Sequence, residues 1–405
     1  MDISETVALL MQGADYGDEE INRTMAAELR ERIILAEKEK RPLRVYCGYD
    51  PTKADLHLGH TVTMRKLKQF QDLGHIVTFL IGDYTALIGD PSDKDITRPM
   101  LKSKEIEENG RTYAEQAFRI LDPNKTSVRH NSEWLSKLTF EQVIKLSSNF
   151  TVQQFLTREK FQLRWDKGEP VYLHETLYAV MQGYDAFMLQ ADVQIGGTDQ
   201  FFNIMTAARK IMPALGALPN IGICLGILPG TDGVQKMSKS LGNHIPINTD
   251  AKDLYGKIMS IPDSAMPQYF RLVTRWSPHE IEMLEKGITT GAEHPRDAKM
   301  KLAWEVTASF YGNDEAETAQ TEFIQRFQHG EIPDEIPELV LTTGKTWLDL
   351  LVESNMVSSR GEAKRLFEQG GVKLNQNTIK EWSAQAETGV LQVGKRKFIR
   401  LIRRD

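Results

Sequence analysis

The sequence predicts an α/β protein: a parallel-sheet domain with a helical insertion, then an α-helical domain and a small α+β module. Three observations predict it. Early in the chain a short apolar run, a segment of helical periodicity and a second apolar run follow one another with short joints, and parallel strands need a helical crossover of that kind. The same strand-then-helix pairing returns near residue 193. Beyond Asp250 the strand signal fades into periodic helical segments.

Taken in order, residues 1–40 read as charged helix, and Leu43, Val45 and Tyr46 form a short strand ending at Gly48. Asp50-Pro51-Thr52 turns the chain. Over 58–73 the apolar positions Leu58, Val62, Met64, Leu67 and Phe70 recur at helical spacing, and Gly74 stands where a helix stops. A second strand follows over 76–81, giving a Rossmann-like beginning. Helical patterns occupy 104–120 and dominate 140–189, interrupted at Gly168-Glu169-Pro170. A further strand over 193–196, a helix over 200–210 and the apolar run 221–228 complete the sheet, and Gly230 and Gly233 bracket a mobile turn. Helices are expected over 278–286 and 296–311, and the composition shifts again near Thr342-Thr343-Gly344.

A chain of 405 residues is too long for one ordinary core. The expected division is 1–248, 249–335 and 336–405. The formal charge of −6 argues against indiscriminate coating of nucleic acid, but Lys395, Arg396, Lys397, Arg400, Arg403 and Arg404 make the last stretch locally basic. No apolar run approaches the roughly 18 residues of a bilayer span, and the first residues lack a basic-then-apolar leader pattern, so a cytoplasmic protein is expected. The two cysteines, Cys47 and Cys224, have neither disulfide nor metal-site spacing.

Two short motifs carry chemistry. His57-Leu58-Gly59-His60 sets two imidazoles and a glycine at the start of a helix, where free N–H groups and the helix dipole favour phosphate. Lys236-Met237-Ser238-Lys239-Ser240 places two ammonium groups three residues apart in a glycine-flanked loop, an arrangement suited to a pyrophosphate. Either alone is compatible with a structural histidine pair or a solvated basic loop. Together, in this order and in this βα context, they resemble the signature of class I aminoacyl-tRNA synthetases. Within that class the sequence resembles the tyrosyl-tRNA synthetase family over nearly its whole length. The carrying residues are Tyr46-Cys47-Gly48-Tyr49-Asp50-Pro51-Thr52, Gly89-Asp90-Pro91-Ser92, the run from Tyr178 to Asp185, and Gly196-Gly197-Thr198-Asp199-Gln200.

The resemblance implies roles for these residues. Tyr46 and Asp185 would read the substrate's phenolic hydroxyl, a buried polar pair that phenylalanine would leave unmatched. Tyr178, Gln182 and Asp185 fall at i, i+4 and i+7, one face of a helix. In the family Tyr178 and Gln182, with Asp90, lie near the substrate ammonium, Asp199 meets the ribose and Gln200 the aminoacyl part. Gly48, Asp50, Gly59, Gly197 and Met237 would line the ATP site. Thr52, His57, His60, Lys236 and Lys239 would serve the departing phosphates. No side chain acts as a covalent nucleophile, since the tyrosine carboxylate attacks the α-phosphorus of ATP, with Mg²⁺ carried by its phosphates. The last residues resemble an S4-like RNA-binding module, in which Arg360, Lys364, Arg365, Lys395, Arg396 and Lys397 would face tRNA(Tyr). The family also implies a homodimer. Asp93 after Ser92, and Tyr84 and Ala86 before Gly89, depart from the best-known members and bear on local backbone more than on chemistry. The rival expectations are a tryptophanyl-tRNA synthetase, a non-catalytic RNA-binding relative, and a nucleotidyltransferase acting on another carboxylic acid. Tyr46 with Asp185 favours a phenol over an indole, and the intact histidines and lysines favour an enzyme.

Overall fold

The computed structural model describes residues 2–51, 56–91, 103–328, 336–341, 344–354, 356–357, 359–394 and 397–403. Thr52, Asp93, Lys395 and Arg396 lie outside the described residues. Two compact units divide the chain, Met1–Ala316 and Glu317–Asp405.

The first unit begins with α1 (Ile3–Met11) and α2 (Glu19–Lys38), the latter opened by Asp18, whose carboxylate accepts from the Glu20 and Ile21 amides. Next come β1 (Arg44–Tyr49), α3 (Leu58–Asp72), β2 (Ile76–Ile81), α4 (Ser103–Ala117), β3 (Thr126–His130) and α5 (Ser132–Leu135). The helical insertion is α6 (Phe140–Ser147), α7 (Val152–Leu156), α8 (Glu159–Asp166) and α9 (Leu173–Met188). After it come β4 (Val193–Gly197), α10 (Arg209–Ala214), β5 (Ile221–Leu225), α11 (Ala251–Met259), α12 (Met266–Val273), α13 (Pro278–Thr290), α14 (Pro295–Tyr311) and α15 (Asn313–Gln328). Among the described residues, no helix is long and apolar enough to cross a membrane.

All five strands pair in parallel in the order β3-β2-β1-β4-β5. Strands covered on both faces read as continuous apolar runs, which is why β2 and β5 were legible. From β1 the chain adds strands outward through β2 and β3, then returns to the other side of β1 with β4 and β5. That reversal opens a crevice between the carboxyl ends of β1 and β4, the place where open α/β sheets receive ligands.

Two features depart from expectation. β3 carries only one strongly apolar residue, Val128, because it is an edge strand pairing with β2 alone. The helix expected over 200–210 is interrupted: a wider π-helical stretch runs Phe202–Ala208 before α10, and Pro213 follows inside α10. Such wide turns concentrate at functional sites, and this one directly follows Gln200.

Most of α15 falls in the second unit, which adds to it a small mixed sheet and two further helices. β6 (Glu338–Val340), α16 (Trp347–Glu353), α17 (Arg360–Glu368), β7 (Val372–Leu374), β8 (Asn377–Thr378), β9 (Gly389–Val393) and β10 (Lys397–Ile402) give the order β6-β10-β9-β7-β8. Asn375 and Gln376, both at positive φ, join β7 to β8 as a two-residue hairpin. Trp347, Leu351, Phe367, Val372, Leu391 and Leu401 form its own core.

Candidate active site

One half of the crevice is built by β1 and α9. Tyr46 points inward from β1 and is 1% exposed. Burial, then the charge of Asp185, pushes its phenol well above its ordinary value, so it stays a protonated donor. Its hydroxyl lies 3.5 Å from the Gln182 carbonyl oxygen. Asp185, 2% exposed, accepts from Trp134 Nε1 at 2.7 Å and Asn131 Nδ2 at 3.2 Å. Burial lifts its carboxyl to about 7, against the opposing pull of those two donors.

A line of polar groups runs on from there. Asn131 Nδ2 also donates to Thr85 Oγ1 at 3.0 Å, Thr85 Oγ1 donates to Asp50 Oδ1 at 2.8 Å, and the Tyr178 hydroxyl donates to Asp50 Oδ2 at 2.9 Å. Gln200 Nε2 donates to Asp90 Oδ2, while its Oε1 accepts from Asn203 Nδ2 at 3.0 Å. Gln182 Oε1 is buried with no hydrogen-bond partner among the described residues. A buried acceptor left that way costs about 1–3 kcal/mol until a donor meets it, and an ammonium group is such a donor.

The other half is the mouth of α3. His57, in extended backbone, caps the helix, and its N–H donates to His60 Nδ1 at 3.1 Å. That bond places the proton of a neutral His60 on Nε2. The two rings stand 3.8 Å apart. Burial first, then His60, His244, Lys239 and Lys236, lowers the His57 imidazole to about 2. His57 is therefore neutral in any working buffer, and its Nδ1 is buried without a partner among the described residues. A Cβ on Gly59 would come within 3.1 Å of the His57 ring and 3.6 Å of Met237 Cβ, so a side chain there would crowd both motifs. The first motif is tied to the segment just after the second: the Leu58 amide donates to the Ile245 carbonyl at 2.8 Å, within an antiparallel bridge of His57 to Pro246. Lys236 Nζ lies 3.0 Å from Asp199 Oδ2, just beyond the carboxyl end of β4.

This arrangement suits an amphipathic aromatic amino acid at one end and a polyphosphate at the other. The model for tRNA synthetases class I (W and Y) matches residues 38–328. The tyrosine–tRNA ligase of Thermotoga maritima is 48% identical over 92% of this chain and 93% of its own. That of Haemophilus influenzae is 44% identical over 99% of this chain and 97% of its own. The chain belongs to the tyrosine–tRNA ligase family. It is an aminoacyl-tRNA ligase of class I, with ATP as a substrate. The fold agrees with solved relatives at lower identity. A C-terminally truncated mitochondrial tyrosyl-tRNA synthetase of Aspergillus nidulans superposes with a TM-score of 0.62 at 21% identity, over 80% of this chain and 93% of that one. The Archaeoglobus fulgidus tyrosyl-tRNA synthetase complexed with L-tyrosine gives 0.59 at 24%, over 79% and 100%.

In this enzyme β1, α9 and the end of β4 bring together Tyr46, Gly48, Asp50, Tyr178, Gln182, Asp185, Gly197, Asp199 and Gln200. Tyr178 bonds Asp50, and Asp90 pairs with Gln200. Trp134 and Asn131, the partners of Asp185, were not singled out in the sequence. They sit just after β3, the strand that the apolar pattern does not reveal.

In the second unit, Ser359 Oγ accepts from the Glu362 amide at 3.2 Å and opens α17. Arg360 Nη2 donates to Asp349 Oδ1 at 2.8 Å, Lys364 Nζ lies 4.4 Å from the Trp382 ring centroid, and Arg365 is exposed. Lys397 Nζ donates to the Met356 carbonyl, so it is engaged with its own backbone.

Proposed function

We propose that this site activates L-tyrosine with ATP, releasing pyrophosphate, and then passes the tyrosyl group to the 3′ end of tRNA(Tyr). The observation that carries the tyrosine assignment is the buried pair of a protonated Tyr46 donor and an Asp185 acceptor, the latter held by Trp134 and Asn131. A phenol meets both; an indole or a phenyl ring does not. The substrate ammonium is assigned to Gln182, Tyr178 and Asp90, the ribose to Asp199, and the aminoacyl part to Gln200. Gly48, Asp50, Gly59, Gly197 and Met237 are assigned to the nucleotide. Thr52, His57, His60, Lys236 and Lys239 are assigned to the phosphates. They act by positioned charge and hydrogen bonds on the developing pyrophosphate rather than by covalent catalysis. The nucleotide enters as MgATP, its metal carried by phosphate oxygens and water.

ATP–pyrophosphate exchange with each of the twenty amino acids, without tRNA, tests this assignment. Exchange with tyrosine alone is expected; exchange with tryptophan instead would transfer the pocket to an indole, and none at all would leave an RNA-binding protein.

The division into a catalytic domain (1–248), a helical domain near the anticodon (249–335) and an S4-like tRNA-binding domain (336–405) is part of the proposal. On that division Arg360, Lys364 and Arg365 form one basic helix face toward RNA phosphates, and Lys395, Arg396 and Lys397 are assigned to the same RNA. A cytoplasmic homodimer is proposed as well. Its support is an apolar surface on the helical insertion, where Phe140 and Leu173 are each 79% exposed, with Val152 and Trp165 also open. Patches of this kind mark protein contacts. In sedimentation equilibrium at micromolar concentration the native protein is expected as a dimer and the Phe140→Glu/Leu173→Glu variant as a monomer. A native monomer would remove this part of the reading.

A further inference from the structure

We infer that Asn243 is the positioning residue of the lysine loop, a clasp that sets where Lys236 and Lys239 can reach; this rests on the assignment of those lysines to the phosphates. Asn243 is 6% exposed and lies four residues after Lys239. Its Oδ1 accepts from the Ser238 amide at 2.8 Å. Its Nδ2 donates to Asp232 Oδ2 at 2.5 Å and lies 3.3 Å from the Lys236 carbonyl oxygen. Its own carbonyl accepts from the Thr231 amide at 2.8 Å. One side chain thus touches the entry to the loop, the residue that bears the first ammonium, and the residue just before the second.

The surroundings are shaped for it. Asp232 Oδ1 accepts from the Val234 and Gln235 amides at 2.8 and 2.7 Å, so the turn at the loop's entry has bonds of its own besides the one to Asn243. Met237, between the two clasped points, is 2% exposed, and its amide donates to the Leu228 carbonyl at 3.1 Å. Gly230 lies directly against the clasp. A Cβ there would sit 2.3 Å from the Asn243 side chain and 2.6 Å from its carbonyl oxygen. Only an amide meets both demands, since one planar group must donate to Asp232 and accept from Ser238. An aspartate would keep the acceptor, lose the donor and oppose the Asp232 carboxylate. An alanine would lose both bonds.

A lysine ammonium rides on a flexible stem, so the backbone beneath it fixes the volume it samples. Catalytic charge displaced by about 1 Å costs on the order of 10²-fold in rate. Asn243→Ala is therefore expected to slow tyrosyl-adenylate formation about 10- to 100-fold, with tyrosine binding unchanged, because the clasp touches neither β1 nor α9. Gly230→Ala, which pushes on the same side chain from the other side, is expected to give the same split. Asn243→Asp is expected to do no better than alanine. The decisive comparison is a double mutant, with all variants first checked for native melting. If Asn243 acts through the lysine, Asn243→Ala adds little on a Lys236→Ala background. Fully multiplicative losses, an equal loss in tyrosine affinity, or native rates in both Asn243→Ala and Gly230→Ala would overturn the clasp. A normal rate in Lys236→Ala itself would instead overturn the phosphate assignment on which it rests.

Discussion

Asp185→Ala is expected to narrow the preference for tyrosine over phenylalanine by lowering kcat/KM for tyrosine while leaving that for phenylalanine level or higher. A hydrogen bond to a charged group contributes about 1.5–3 kcal/mol, roughly 10- to 150-fold. The loss should be read as a kcat/KM ratio in adenylate formation, and an unchanged ratio would take Asp185 out of the pocket. The pH dependence gives the same group a second signature. Its carboxyl is raised to about 7 in the free protein, above its ordinary value of 3.8. A group raised in this way contributes stability that is full below pH 3.8 and is lost as pH rises through about 7. Tyrosine needs the ionised form, since Tyr46 already supplies the donor and the substrate hydroxyl must give its proton to an acceptor. The rise in Tm on adding saturating tyrosine should therefore be larger at about pH 8 than at about pH 6, and this difference should vanish in Asp185→Ala. Equal tyrosine-induced shifts across that range in the native protein would mean that Asp185 is ionised throughout.

Lys236→Ala is expected to lower the rate of adenylate formation about 10²- to 10³-fold, the usual cost of removing one positioned donor from a developing negative charge. Tyrosine binding, followed by equilibrium titration without ATP, should hold. A fall in both by the same factor would mean that the lysine binds ground state and transition state alike. In the free enzyme Lys236 is paired with Asp199 at 3.0 Å. The residue assigned to the ribose and the residue assigned to the phosphates thus meet each other before the nucleotide arrives, and Lys236→Ala should also change nucleotide affinity without pyrophosphate release. That second effect is smaller, since the pair is half exposed and screened by water.

The parts of the molecule that could be read from sequence are those whose function writes a local pattern. β1, α3 and β2 declare themselves because a buried parallel strand needs a continuous apolar run and the helix covering it needs a stripe. The face of α9 declares itself because Tyr178, Gln182 and Asp185 obey helical spacing. β3 does not, since an edge strand needs only one flank covered and can be built from Thr126, Ser127, Arg129 and His130. With β3 went Asn131 and Trp134, whose role lies in what they touch 50 residues away rather than in any spacing of their own. The π-helical stretch after Gln200 was equally silent, because seven positions make fewer than two turns, too few for its period to show. Asn243 carries no signal in the sequence, since its role lies in what its two amide atoms touch, Ser238 and Asp232.

The bridge between Leu58 and Ile245 has a consequence for how such a chain can change over time. Residues 61–235, 175 in all, separate the two motifs along the chain, yet a backbone hydrogen bond at the mouth of α3 holds the first against the segment just after the second. The helical insertion lies wholly within that interval, so its length does not enter the junction that holds the histidine motif beside the end of the lysine loop.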